Sequence, residues 1–114
     1  MVTIYHNPRC SKSRQTLALL KSKGVDPQII LSLENPPNKP ALIQLLEKLS
    51  ISAHQLVRKS EAEFKLNFTG QEMTEDDYIE AMLRFPTLIE RPIVEVEERA
   101  VLGRPPENVL DIIA

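Results

Sequence analysis

The sequence carries a single cysteine, Cys10, inside the stretch Tyr5-His6-Asn7-Pro8-Arg9-Cys10-Ser11-Lys12-Ser13-Arg14. A lone thiol is either a buried inert group or a nucleophile, and the attacking species of a nucleophilic cysteine is the thiolate. Here Arg9, Lys12 and Arg14 place positive charge beside it, which favours the thiolate. Spacing then limits the chemistry. A dithiol redox site needs a second cysteine where Ser13 stands, so the chain cannot close a disulfide on itself. A phosphatase-type loop needs an arginine six residues after the cysteine, and that position is Thr16. A monothiol C-x-x-S site remains. Ser13 lies about one turn beyond Cys10 and can either donate a hydrogen bond to the thiolate or cap its own backbone. His6 can polarise the thiol, orient the loop, or bond to the backbone of the turn. Arg58, Arg91 and Arg104 are either solvated surface groups or forks for a tetrahedral oxyanion, which guanidinium binds bidentately. Arg91 and Arg104 each precede a proline, which places them on extended backbone at the boundary of an element.

The elements that must position these groups follow from periodicity and turn signals. Residues 2–5 read as a strand, with Val2 and Ile4 alternating, and Asn7-Pro8 reads as a turn. Residues 11–23 read as a helix that Gly24 stops. Cys10 therefore belongs at a strand-to-helix turn, on the helix end where unpaired N–H groups and the positive dipole pole lie. Such cysteines have pKa values lowered from ~8.5 into a range of roughly 3.5 to 7.5. Ile29-Ile30-Leu31 is an apolar run, expected as a buried strand parallel to the first. Asn38 is expected to cap a helix carrying Leu42, Leu45, Leu46 and Leu49. Short helical pieces are expected over 52–65 and a loop over 66–73. Thr74 opens a helix that ends at Pro86. Ile93–Val96 and Arg99–Leu102 are close enough to be an antiparallel hairpin, and Gly103-Arg104-Pro105-Pro106 opens a last helix. The order predicts an α/β fold of thioredoxin-like topology, a mixed four-stranded sheet with additional helices between strands 2 and 3. In that topology a proline in the position of Pro92 is often cis and faces the active-site turn.

Composition excludes several classes. The chain of 114 residues is 42% hydrophobic and 26% charged, which suits one globular domain over 1–114. A net charge of −2 gives no basic field for nucleic acid or a membrane surface. No apolar run approaches the ~20 residues of a membrane span, and no signal-peptide layout is present. One cysteine excludes a cysteine-rich zinc site, and an activated thiol fits the reducing cytoplasm.

The Cys10 stretch resembles the active-site segment of the glutaredoxin-coupled arsenate reductases, the ArsC family, and within it the short YfgD-like bacterial branch. Leu56-Val57-Arg58-Lys59, Glu90-Arg91-Pro92-Ile93-Val94 and Gly103-Arg104-Pro105-Pro106-Glu107 fall where that family carries its other motifs. The resemblance implies a thioredoxin-like fold, a cytoplasmic monomer and reduction of arsenate to arsenite. It implies Cys10 as nucleophile, and His6 and Ser13 as the residues that lower its pKa. It implies Arg58, Arg91 and Arg104 as the oxyanion-binding residues. Glutathione would attack the adduct and glutaredoxin would clear the mixed disulfide, with no metal and no bound cofactor. The chain departs from the efficient reductases at Ser11-Lys12, where they usually carry Gly-Thr, and at Arg9, where a small residue is common. Two other readings stand beside this one. One is a thiol transferase acting on glutathione mixed disulfides. The other is a non-enzymatic regulator like the polymerase-binding Spx proteins.

Overall fold

The computed structural model describes residues 1–113. The chain divides into two compact units, one made of Met1–Asn35 with the segment from Arg91 onward, the other of Pro36–Glu90.

The first unit is built on the expected sheet. Strand β1 (Val2–His6) leads through the Cys10 turn into helix α1 (Ser11–Ser22), and β2 (Gln28–Leu31) follows. Strands β3 (Ile93–Val96) and β4 (Arg99–Leu102) form the hairpin. The sheet order is β2-β1-β3-β4. Strand β1 pairs parallel with β2, from Thr3 opposite Gln28 to His6 opposite Leu31. On its other side it pairs antiparallel with β3, from Val2 opposite Val96 to Tyr5 opposite Ile93. Ile4, Leu20, Val94, Val109 and Ile112 form the core of this unit, with Leu17, Val96 and Val101 packed against it. They draw α1 and the chain end onto one face of the sheet, removing apolar surface worth roughly 25 cal/mol per Å² from water.

Two expectations are corrected here. Strand β2 is parallel to β1 but is not buried: it is the sheet edge, and Ile29 is 43% exposed. An apolar run alone does not tell a central strand from an edge strand. The last helix is also not continuous. Pro106–Val109 is a 3₁₀ turn, and only then does α6 (Leu110–Ile113) follow.

The second unit is helical. Helix α2 (Lys39–Leu49) is capped as expected, Asn38 Oδ1 accepting from Ala41 N at 3.0 Å. Helix α3 (Ala53–Leu56) and helix α5 (Glu75–Arg84) both start with capping boxes, Ser52 with Gln55 and Thr74 with Asp77. Helix α4 (Ala62–Asn67) is the second short piece, and Pro86–Leu88 is a 3₁₀ turn. Helix α4 runs into the segment expected as a loop. Leu42, Leu45, Leu56, Ile79 and Met82 are buried. Among the described residues no helix is long and apolar enough to cross a membrane.

One tight approach fixes how the end of β4 meets α1. Gly103 N donates to Pro92 O at 2.9 Å, and Thr16 Oγ1 donates to Lys12 O at 2.8 Å within its own helix. A Cβ on Gly103 would press on Thr16 Oγ1 and lie 2.7 Å from Pro92 Cγ. Gly103→Ala is therefore expected to destabilise the protein by about 1–3 kcal/mol, the usual cost of overpacking. Thr16→Ala should recover part of that loss in the double variant, because the two sites share one contact. Urea titration of the three variants measures both effects, and additive losses would refute the shared contact.

Candidate active site

The turn that carries Cys10 is fixed by its own backbone. Asn7 Oδ1 accepts from Arg9 N at 3.0 Å, an Asx turn, and Asn7 O accepts from Cys10 N at 3.0 Å. Cys10 has extended angles (φ −92°, ψ 122°) and is the N-cap of α1, and its side chain caps nothing. Its sulfur is left to face other partners. Arg14 Nη1 donates to Pro8 O at 2.9 Å and braces the turn from one helical turn further on.

Ser13 is fully buried and His6 nearly so. Their side chains share a hydrogen bond between His6 Nδ1 and Ser13 Oγ, and the same Oγ accepts from Asn7 N at 3.0 Å. Neither residue does with its side chain what the sequence suggested most simply. His6 does not take a backbone partner through Nδ1, and the Ser13 hydroxyl faces His6 and the turn. The Ser13 backbone N–H, in the first turn of α1, favours the charged form of the sulfur without making a capping hydrogen bond to it. Burial, with Arg14 and Lys21 adding positive charge, lowers the His6 pKa, so the ring is neutral at physiological pH.

Two arginines come to Cys10 from the other end of the chain. Arg104 Nη2 lies 3.5 Å from Cys10 Sγ, and Arg104 Nε donates to Arg91 O at 2.9 Å. Both residues precede cis prolines, Pro92 and Pro105. Burial pushes the Cys10 thiol up. The Ser13 N–H, the Arg104 guanidinium, the Lys12 N–H and the Arg91 guanidinium together pull it down by more, and the thiol ends below its ordinary range. The arrangement is a thiol on a helix N-terminus, biased toward its thiolate, with guanidinium groups beside it. It can hold an anion while the sulfur attacks it.

The structure thus brings Cys10, His6, Ser13, Arg91 and Arg104 together in one unit. Arg58 belongs to the other unit, where its guanidinium pairs with Glu61 at 2.9 Å and Glu90 at 3.4 Å. Among the described residues no group of three or more His, Cys, Asp or Glu side chains is arranged to hold a metal. One supporting residue was not picked out from the sequence. Asn108 Nδ2 donates to Leu102 O at 3.1 Å and to Arg104 O at 3.0 Å, so it ties down the loop that delivers Arg104. The signal available was an amide a few residues after Arg104 at a helix start, which reads equally well as an ordinary surface residue.

The pH dependence of Cys10 alkylation by iodoacetamide reads this geometry. The rate should rise with pH at lower values than for an ordinary thiol, because only the thiolate reacts. Arg104→Ala should move the rise to higher pH. Asn108→Ala should move it the same way, and should add little when Arg104 is already alanine. An equal further shift in that background would show that Asn108 does not act through Arg104.

A profile of the ArsC family matches residues 5–112. The uncharacterized protein YfgD of Escherichia coli (strain K12) is 49% identical over 114 residues, covering 98% of this chain and 96% of that protein. An arsenate reductase of Haemophilus influenzae is 42% identical over 114 residues, with 98% of each chain covered. The structure of an arsenate reductase from Vibrio cholerae superposes with a TM-score of 0.92 at 45% identity, covering 98% of this chain and 97% of that one. The sheet with its Cys10 turn is the thioredoxin-like scaffold shared with these relatives, and the chain belongs to the ArsC family.

Proposed function

We propose that this protein is an arsenate reductase-like thiol oxidoreductase of the cytoplasm, acting as a monomer with glutathione and glutaredoxin as reductants. The observation that carries the reading is the Arg104 guanidinium 3.5 Å from Cys10 Sγ, with Arg91 adding a second positive charge there. A guanidinium beside a thiolate does two things at once. It keeps the sulfur ionised, and it offers donors to an oxyanion arriving at that sulfur. The likeness to proteins named arsenate reductase supports arsenate as that oxyanion.

The Cys10 thiolate attacks arsenic. An As–O bond breaks, and the oxygen leaves as water after taking a proton from solvent. Arg91 and Arg104 neutralise the remaining oxygens of the Cys10-bound arsenate. The sequence has no second cysteine, so the next thiol must come from outside. Glutathione attacks the Cys10 sulfur, and the S–As bond breaks with its electron pair going to arsenic. Arsenic falls from the +5 to the +3 state and leaves as arsenite, while the two thiols become one mixed disulfide. A glutaredoxin thiol then attacks that disulfide and frees Cys10. His6 and Ser13 stay out of proton transfer in this scheme. They hold the turn so that the N–H groups of the first turn of α1 stay on the side of the sulfur.

Steady-state arsenate reduction with glutathione, glutaredoxin and NADPH-coupled recycling tests the reading. Cys10→Ser should abolish arsenate-dependent turnover. Arg104→Ala should lower kcat/KM roughly 100-fold, the cost of losing one preorganised oxyanion donor. Arg58→Ala tests the role the family resemblance gives that residue, with the KM for arsenate as readout. Turnover that is independent of arsenate, on glutathionylated substrates, would overturn arsenate reduction in favour of a thiol transferase.

A further inference from the structure

A cavity of ≈ 280 Å³ opens beside the turn that leads into Cys10. His6, Asn7, Pro8 and Arg9 line it from the end of β1 and the turn, with Leu31, Leu33 and Glu34 from the exit of β2; Cys10 follows Arg9 just outside the lining. Its volume is near the lower end for small-molecule sites, about 300–1,000 Å³. Pro8, Leu31 and Leu33 give it an apolar wall, and Leu33 is 43% exposed. Its rim holds opposite charges, Arg9 and Glu34, and neither side chain has an ion-pair or hydrogen-bond partner among the described residues. The proposed function uses none of this.

We propose that this cavity seats the external thiol that resolves the Cys10 adduct, a small peptide thiol carrying both carboxylate and ammonium groups. Arg9 takes a carboxylate, Glu34 takes the ammonium, and Pro8, Leu31 and Leu33 cover the peptide backbone between them. The reading rests on Cys10 as the nucleophile of the proposed function. Two arguments support it. The first is charge complementarity, since a free cation and a free anion on one small rim match a zwitterion better than a simple anion. The second is the direction of attack. Displacement at sulfur needs the entering thiolate, the sulfur and the leaving group close to a line. Strand β1 lies between β2 and β3 in the sheet. The leaving oxyanion is held on the β3–β4 side by Arg91 and Arg104, so the entering thiol is best placed on the β2 side, where the cavity is.

The test uses no arsenate. Cys10 is converted to its mixed disulfide with thionitrobenzoate. A thiolate then attacks the Cys10 sulfur, the S–S bond breaks, and thionitrobenzoate leaves with the electron pair and is read by absorbance. The selectivity measured is the rate with glutathione over the rate with glutathione diethyl ester, whose carboxylates are masked. Arg9→Ala should lower that ratio about 3- to 5-fold, the scale of one surface ion pair. Glu34→Gln should lower the ratio of glutathione to its N-acetyl derivative. Both residues are exposed, so the fold is expected to survive. Lys12→Ala removes a charge two residues from Cys10 but outside the cavity lining. If it lowers the ester ratio as far as Arg9→Ala, a general positive field explains the selectivity and the cavity is overturned. A wild-type ratio that Arg9→Ala leaves unchanged overturns it too. Loss of arsenate turnover in wild type, with the Arg9 dependence intact, would sink the proposed function and leave the cavity standing.

Discussion

The contact between the Arg104 guanidinium and the Cys10 sulfur is the interaction on which the rest of the site depends. At the helix N-terminus the backbone N–H groups of Ser13 and Lys12 already favour the charged form of the thiol. Those donors act against burial, which favours the neutral thiol. Arg104 adds a full charge to the partial ones, and its Nε bond to Arg91 O ties the second arginine's backbone to the same spot. The fold around it meets the requirements of that contact. Gly103 must lack a side chain so that the loop can lie against Thr16 and Pro92, and Asn108 must hold the carbonyls of Leu102 and Arg104.

The local part of this was legible in the sequence, because local signals cause it. Asn7-Pro8 breaks the strand, the Leu17 and Leu20 spacing starts the helix, and Cys10 has to fall between them. The caps at Asn38 and Thr74 were legible for the same reason: the capping side chain and the N–H it accepts from are three residues apart. The arginines could be named from their prolines, but their convergence on the sulfur could not. Arg104 is 94 positions from Cys10, and only the sheet order brings β4 round to the Cys10 turn.

The misses have physical reasons of the same kind. His6 and Ser13 are seven residues apart across a strand-to-helix turn, a pairing set by where β1 ends relative to the first turn of α1. No single periodicity spans that junction. Ile29-Ile30-Leu31 has the composition of a buried strand, and its edge position is decided by β3 taking the other flank of β1. Pro105 caps and Pro106 opens a 3₁₀ turn that precedes α6, and proline at a first helical position is compatible with either helix type, so the sequence did not separate them.

The first unit is assembled from both ends of the chain, with Pro36–Glu90 inserted between them. Synthesis on the ribosome runs from Met1, so Cys10 exists long before either arginine does. Until the last quarter of the polypeptide has been made, the thiol has only its own turn and helix end to ionise it. The chain therefore carries its reactive group through translation in a muted form. The two guanidinium groups join the sulfur only when the C-terminal arm is in place, and a truncated product that lacks the arm keeps Cys10 without Arg91 and Arg104 beside it.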